Sequence, residues 1–165
     1  MLLNNFVNTS ENRWEARGII GRQFDKSVFK IYGTTYKLKK DLDFLAVDFH
    51  AEITSEKQAM GHFLDGKVTF IIGTHTHTPT LDYRILNNGT AFQTDAGMCG
   101  DYNSVIGMNT ENSLNRFFKK SSLRHFPSTG EASLCGVIVE GDIKTGLAKS
   151  IEKFIHGGNL INSFW

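Results

Sequence analysis

The stretch "FLAVDFHAEITSEKQAMGHFLDGKVTFIIGTHTHTPT", Phe44 to Thr80, sets a helix-like segment between two apolar runs, and its reading decides the fold. Phe44 to His50 is a short apolar run broken by one acid, Asp48, and reads as a buried strand. Ser55 and Gln58 match the capping box S-x-x-Q, which predicts a helix start at that point. Ala59, Met60, Phe63 and Leu64 recur at helical spacing and supply its inward stripe. Gly66 suits the left-handed position that ends a helix. Lys67 to Ile72, "KVTFII", is apolar and β-branched, a second buried strand. Strand, helix and strand at this spacing predict a βαβ unit with parallel strands and a right-handed crossover.

The unit gathers histidines. His50 ends the first strand, and His75 and His77 follow the second. Parallel strands deliver their C-terminal ends to one edge of a sheet, where open α/β sheets place ligands. Neutral imidazole is the commonest metal ligand, and a metal site needs several that converge. Gly73 lets the backbone approach closely, and Pro79 bars a continuing central strand. Two surface-loop histidines without a role are the competing reading. A third histidine on the same edge tips the balance towards a metal.

The remaining sequence supplies scaffold. "YRILNNGTAFQT" carries Asn88-Gly89 between two strand-like runs, a hairpin signal. "DAGMCGDYNSVIG", Asp95 to Gly107, is glycine-rich and reads as a loop at or near the site. Asp95 and Asp101 are candidate partners for the far sides of metal-bound imidazoles, or turn caps. "ENSLNRFFKK" reads as a helix with Leu114, Phe117 and Phe118 inward and Lys119 and Lys120 at its negative end. "ASLCGVIVEGDIKTGLAKSIEKF" reads as two strands around a turn at Asp142 to Gly146, with Cys135 in the core. Phe164 and Trp165 would dock the tail.

Bulk properties narrow the function. With 165 residues the chain can bury a core of its own. Eighteen basic residues against 17 acidic leave a net charge of +1, no electrostatic footprint for extended nucleic acid or an anionic membrane. Two cysteines form no disulfide framework, and the N-terminus lacks the plan of a signal peptide, so a cytoplasmic location is expected.

"VDFHAE", "GTHTHTPT" and "TDAGMCG", with "GEASLCGVIVE" further on, resemble the bacterial YmdB-type metallophosphoesterases of the calcineurin-like superfamily. The resemblance runs from about Leu42 to the C-terminus. It implies an α/β fold: part of a calcineurin-like β-sandwich flanked by helices, with the βαβ unit carrying the metal-ligand histidines. It further implies two divalent ions (Fe, Mn or Zn) and a small phosphodiester substrate, a 2′,3′-cyclic nucleotide opened to the 3′-nucleotide. His50 and His75 match ligands of one metal, and His77 matches a ligand of the other.

The chain departs from the family's pattern upstream. Such enzymes begin with a strand ending in a ligand Asp, then a Glu-Asn pair whose Glu bridges both metals, then an Asn-His pair holding the proton donor. This sequence has no Asn-His dipeptide, and its Glu-Asn pairs, Glu11-Asn12 and Glu111-Asn112, follow no apolar strand. The resemblance therefore divides the chain into a divergent remnant, residues 1–41, and the C-terminal part of a metallophosphoesterase domain, residues 42–165. It implies N-terminal truncation, with no catalytic acid or base retained and with self-association or a complementary N-terminal fragment as partner. The alternatives are an inactive fragment and a mononuclear three-histidine metal site.

Overall fold

The computed structural model describes residues 43–118 and 124–163 with their side chains, and strand backbone at 15–17, 28–31 and 34–37. Lys119, Lys120, Phe164 and Trp165, and most of the segment 1–41, lie outside the described residues. In chain order the elements are β1 (Glu15–Arg17), β2 (Val28–Ile31), β3 (Thr34–Lys37), β4 (Ala46–His50), α1 (Thr54–Leu64), β5 (Phe70–Thr74), β6 (Arg84–Ile85), β7 (Ala91–Gln93), α2 (Thr110–Phe117), β8 (Leu134–Gly141) and β9 (Ala148–His156). The architecture is mixed α/β, built on a five-stranded sheet of order β1-β4-β5-β7-β6.

β4 and β5 pair in parallel across α1, with His50 level with Thr74. β7 then adds itself in parallel to the far side of β5. The edge strands β1 and β6 run antiparallel to their neighbours. Alternation along the strands sends Phe49, Ile71 and Phe92 into one core with Leu45, Leu64, Val68 and Leu86. Each such side chain contributes about 1.5–3 kcal/mol when fully buried.

Helix α1 starts one residue before Ser55, at Thr54, and its N-cap is Ile53 with no side-chain cap bond. The capping box at Ser55 and Gln58 is therefore not formed. Its buried face is Lys57, Gly61 and Leu64, while Ala59 and Phe63 of the expected stripe lie exposed and Met60 is half-buried. Packing against β7 sets this rotation. A Cβ on Gly61 would fall 2.5 Å from Cδ2 of Phe92, so the helix rests its glycine on that ring. Phe63 turns out to solvent, where the Lys67 ammonium lies 4.4 Å from its ring centre. Gly66 ends the helix at φ 78°, as its position in the sequence requires.

The hairpin at Asn88-Gly89 forms between antiparallel β6 and β7. The turn spans Leu86 to Gly89, closed by Gly89 N–H to the Leu86 carbonyl, with Gly89 at φ 96°. Neither Asn87 nor Asn88 has positive φ, so the glycine makes the left-handed step after the turn. β8 and β9 form an antiparallel ribbon around the Asp142 turn, with a bulge between Glu140 and Gly141. Cys135 is buried, and both cysteines are free thiols.

Helix α2 reverses its expected orientation. Asn112 and Ser113 are buried, whereas Leu114, Phe117 and Phe118 are 45%, 78% and 67% exposed. Its start is fixed by Asn109, whose side chain accepts from Asn112 N–H at 2.9 Å. That cap satisfies an unpaired N–H of the first turn, and the helix buries its polar Asn112 and Ser113 while its apolar side chains face out.

Candidate functional site

Three parallel strands end at one edge, and each delivers a polar group there. β4 brings His50, β5 brings Thr74 and then His75, and β7 leads through Thr94 to Asp95. His50 Nε2 lies 3.0 Å from His75 Nδ1, with the rings nearly perpendicular. His50 Nδ1 lies 3.1 Å from Thr74 Oγ1, which donates to Asp48 Oδ1 at 2.7 Å. Asp48 and His50 share a face of β4 by the two-residue period, and parallel register sets Thr74 beside them.

The histidine loop is strained where its chemistry sits. His75 has φ 123° and His77 φ 63°, conformations that favour glycine. Ile106, whose carbonyl accepts from His77 Nδ1 at 2.8 Å, stands at φ 49°. Such residues cost about 1–3 kcal/mol each and persist only where surrounding contacts over-determine them.

Those contacts come from below. Asp95 Oδ2 accepts from Thr76 N–H, between the two histidines, at 2.9 Å, and Oδ1 accepts from Gly97 N–H at 3.0 Å. Lys57 Nζ meets Asp95 Oδ2 at 2.8 Å, and both side chains are 1% exposed. Burial pushes the Asp95 carboxyl up, but the Lys57 ammonium and the Thr76 and Gly97 amides outweigh it and hold it below the usual carboxylate range. Asp82 fastens the downstream end, accepting from Thr80 Oγ1 at 2.6 Å and from Thr94 N–H at 3.1 Å. Burial opposes its charge, and the Thr80 and Thr94 hydrogen bonds prevail to lower its pKa. Gly73 admits this closeness, since a Cβ there would lie 1.8 Å from the Thr94 carbonyl oxygen.

The sequence-predicted residues therefore separate. His50 and His75 meet. His77 shares their loop and directs Nδ1 to Ile106. Asp95 grips the loop backbone rather than an imidazole. Asp101 caps its own loop, accepting from Asn103 N–H at 2.7 Å and from the Ser128 hydroxyl. Two imidazole nitrogens held about 2.0–2.1 Å from one cation at a right angle stand about 3 Å apart, which the His50–His75 pair matches. Among the described residues no group of three or more His, Cys, Asp or Glu is arranged to hold a metal ion, so the pair fits as half of a donor set. Lys57, Thr74 and Asp82 were missed in the sequence. Thr74 was findable from parallel register opposite His50, whereas Lys57 reads as an ordinary solvent-facing helix lysine.

Over residues 6–154 the chain matches the YmdB-like protein family. It is 41% identical over 116 residues to the 2′,3′-cyclic-nucleotide 2′-phosphodiesterase of Bacillus subtilis strain 168, covering 70% of this chain and 44% of that protein. The crystal structure of a hypothetical protein from Thermus thermophilus superposes with a TM-score of 0.65 at 38% identity, covering 73% of this chain and 47% of that one. That of a novel phosphatase from Mycoplasma pneumoniae superposes at 0.63 and 45% identity, covering 67% and 40%. The chain spans less than half the length of the curated relatives it matches. Among the described residues no helix is long and apolar enough to cross a membrane.

Proposed function

The chain belongs to the YmdB-like family, and from that premise we propose that it carries part of the centre of a metal-dependent phosphodiesterase with a calcineurin-like β-sandwich. Its substrate is a 2′,3′-cyclic nucleotide, whose 2′ phosphoester bond is broken by water to leave the 3′-nucleotide. The observation that carries the reading is the approach of His50 Nε2 to His75 Nδ1, 3.0 Å apart at the C-terminal edge of parallel strands. The name of the Bacillus subtilis relative supports the substrate class.

His50 and His75 would hold one divalent cation and His77 a second, with Mn, Fe or Zn suited to imidazole and oxygen donors. Such a metal, when bound, activates a water and offsets charge on the phosphoryl oxygens. This chain's residues orient the imidazoles: Asp95 and Lys57 fix the loop, and Gly73 lets it sit against β7. Among the described residues no carboxylate joins the histidine pair. The anionic ligands and the proton donor would then come from outside the described residues, a complementary N-terminal segment being the proposed source. A self-sufficient three-histidine centre is disfavoured because, among the described residues, no group of three or more His, Cys, Asp or Glu is arranged to hold a metal ion. The free thiols agree with a cytoplasmic location.

The test is hydrolysis of 2′,3′-cyclic AMP and bis-p-nitrophenyl phosphate with Mn²⁺ or Fe²⁺. The chain alone should be slow, since a missing proton donor removes about 10²–10⁴-fold. Mixing with the N-terminal part of the Bacillus subtilis relative should restore turnover, and His75→Ala or His77→Ala should abolish it. Rapid turnover by the isolated chain sinks the need for a partner. An inactive mixture sinks the phosphodiesterase reading.

A further inference from the structure

The imidazoles at the sheet edge are free to adopt either neutral tautomer in isolation, and for two of them, His50 and His77, the groups behind remove that freedom. Thr74 has one hydroxyl proton. It is donated to Asp48 Oδ1 at 2.7 Å, and an ionised carboxylate can only accept. The 3.1 Å contact between Thr74 Oγ1 and His50 Nδ1 is then a hydrogen bond in which the ring nitrogen is the donor. A neutral imidazole with its proton on Nδ1 carries its lone pair on Nε2. In His50 that is the atom facing His75. His77 obeys the same logic with a different acceptor. The Ile106 carbonyl can only accept, so the 2.8 Å contact places the proton on Nδ1 of His77 and the lone pair on Nε2.

We infer that Thr74, backed by Asp48, and the Ile106 carbonyl are positioning groups that preset His50 and His77 as Nδ1–H tautomers, the Nε2 lone pair of His50 facing Nδ1 of His75. The inference rests on the proposed function for the use made of those lone pairs, and on the hydrogen-bond directions for the tautomers themselves.

The two supports differ in kind. Thr74 and Asp48 both sit on sheet strands, β5 and β4, and hold His50 through regular parallel register. Ile106 belongs to the Asp95 to Gly107 loop and holds its acceptor position at a positive φ of 49°. The strain at Ile106 thereby gains a purpose, because its carbonyl is the group that orients His77. Partners on the far ring nitrogen of a metal-bound histidine fix its orientation, and their loss costs about 10–100-fold in metal affinity or activity.

The test is nitrogen-15 NMR of the imidazole rings of the full chain, held above the imidazole pKa of about 6.5. Spectra of His50→Gln and His77→Gln provide the assignments. In the wild type both rings should show a protonated Nδ1 and an unprotonated Nε2. Thr74→Val, which keeps the shape and removes the hydroxyl, should shift His50 to a mixture with a substantial Nε2–H population and leave His77 unchanged. Thr74→Ser should restore the wild-type signature. In calorimetric titration with Mn²⁺ or Zn²⁺, Thr74→Val should bind about 10–100-fold more weakly and Thr74→Ser close to wild type. A wild-type His50 protonated on Nε2, or a Thr74→Val spectrum identical to wild type, overturns the inference. The wild-type spectrum decides this even if a variant fails to fold. Tautomers as stated in a chain that binds no divalent cation uphold the inference and instead remove the metal from the proposed function.

Discussion

The histidine loop has two sides that obey different physics. Underneath, Lys57 and Asp95 form an ion pair in which each side chain is 1% exposed. On top, His50, His75 and His77 stand exposed. The lower pair is costly to break, because removing either partner leaves the other charge buried without a counter-ion. The upper rings remain accessible and contribute little to holding the fold. A strained, solvent-facing set of imidazoles here rests on a dry, charged foundation.

The largest expected effect comes from breaking that foundation. Asp95→Ala leaves Lys57 buried without a counter-ion, and removal of one partner of such a pair costs about 3–5 kcal/mol, measurable by urea unfolding. Replacing both, as Lys57→Met with Asp95→Leu, should recover most of that stability. The double variant should still expose Thr76 N–H to fast hydrogen exchange, because its acceptor is gone. If the double variant kept Thr76 protected, the foundation would not be what orders the loop.

Gly73→Ala comes next. Its Cβ collides with backbone, the Thr94 carbonyl, so β5 and β7 would have to separate locally. Overpacking of this kind costs about 1–3 kcal/mol, and loosened pairing should appear as faster exchange in β7. A stability equal to wild type would show that the two strands approach less closely than described.

The acid response should be smaller and has a defined sign. The Asp95 carboxyl lies below its unfolded value of about 3.9. Its contribution is therefore present above about pH 4 and lost as pH falls through the folded value. Asp82 shifts in the same direction. Subtracting the melting profile of Asp95→Asn from that of wild type should isolate the Asp95 share as a difference that shrinks below about pH 4. A difference that is constant with pH would mean the carboxylate charge is unimportant.

The smallest effects belong to the upper side. His77→Ala should change stability by no more than about 0.5 kcal/mol, as surface substitutions usually do. His75→Gly should be more stable than His75→Ala, because alanine at φ 123° keeps a strain of about 1–3 kcal/mol that glycine relieves. Equal melting temperatures for those two variants would deny the strain.

What the sequence disclosed follows from the range of each interaction. The βαβ unit was legible because apolar runs and helical period are local signals, and the meeting of His50 with His75 follows from strand direction alone. The β8–β9 ribbon and the burial of Cys135 were readable for the same reason. The face of α1 was misjudged because it is chosen by Phe92, over thirty residues away, and by a lysine that burial makes atypical. The outward Leu114, Phe117 and Phe118 were misjudged because amphipathic pattern assumes that the apolar side faces in. The role of Asp95 was half visible. Its place near the site could be read, but its grip on backbone rather than imidazole depends on a loop conformation that no local pattern encodes.

The ion pair beneath the loop also orders events in time. Lys57 and Asp95 are 38 residues apart. A ribosome adding about 5–20 residues per second makes the aspartate roughly 2–8 s after the lysine. His50, His75 and His77 are all translated within that interval or before it. A nascent chain halted before residue 95 carries every histidine of the edge, yet its helix holds a lysine with no counter-ion to accompany it out of water. Such a chain lacks the carboxylate that accepts from Thr76 N–H and so lacks the loop's support. The imidazoles are written early, and the groups that fix their arrangement, Asp95 and then Ile106, are written late.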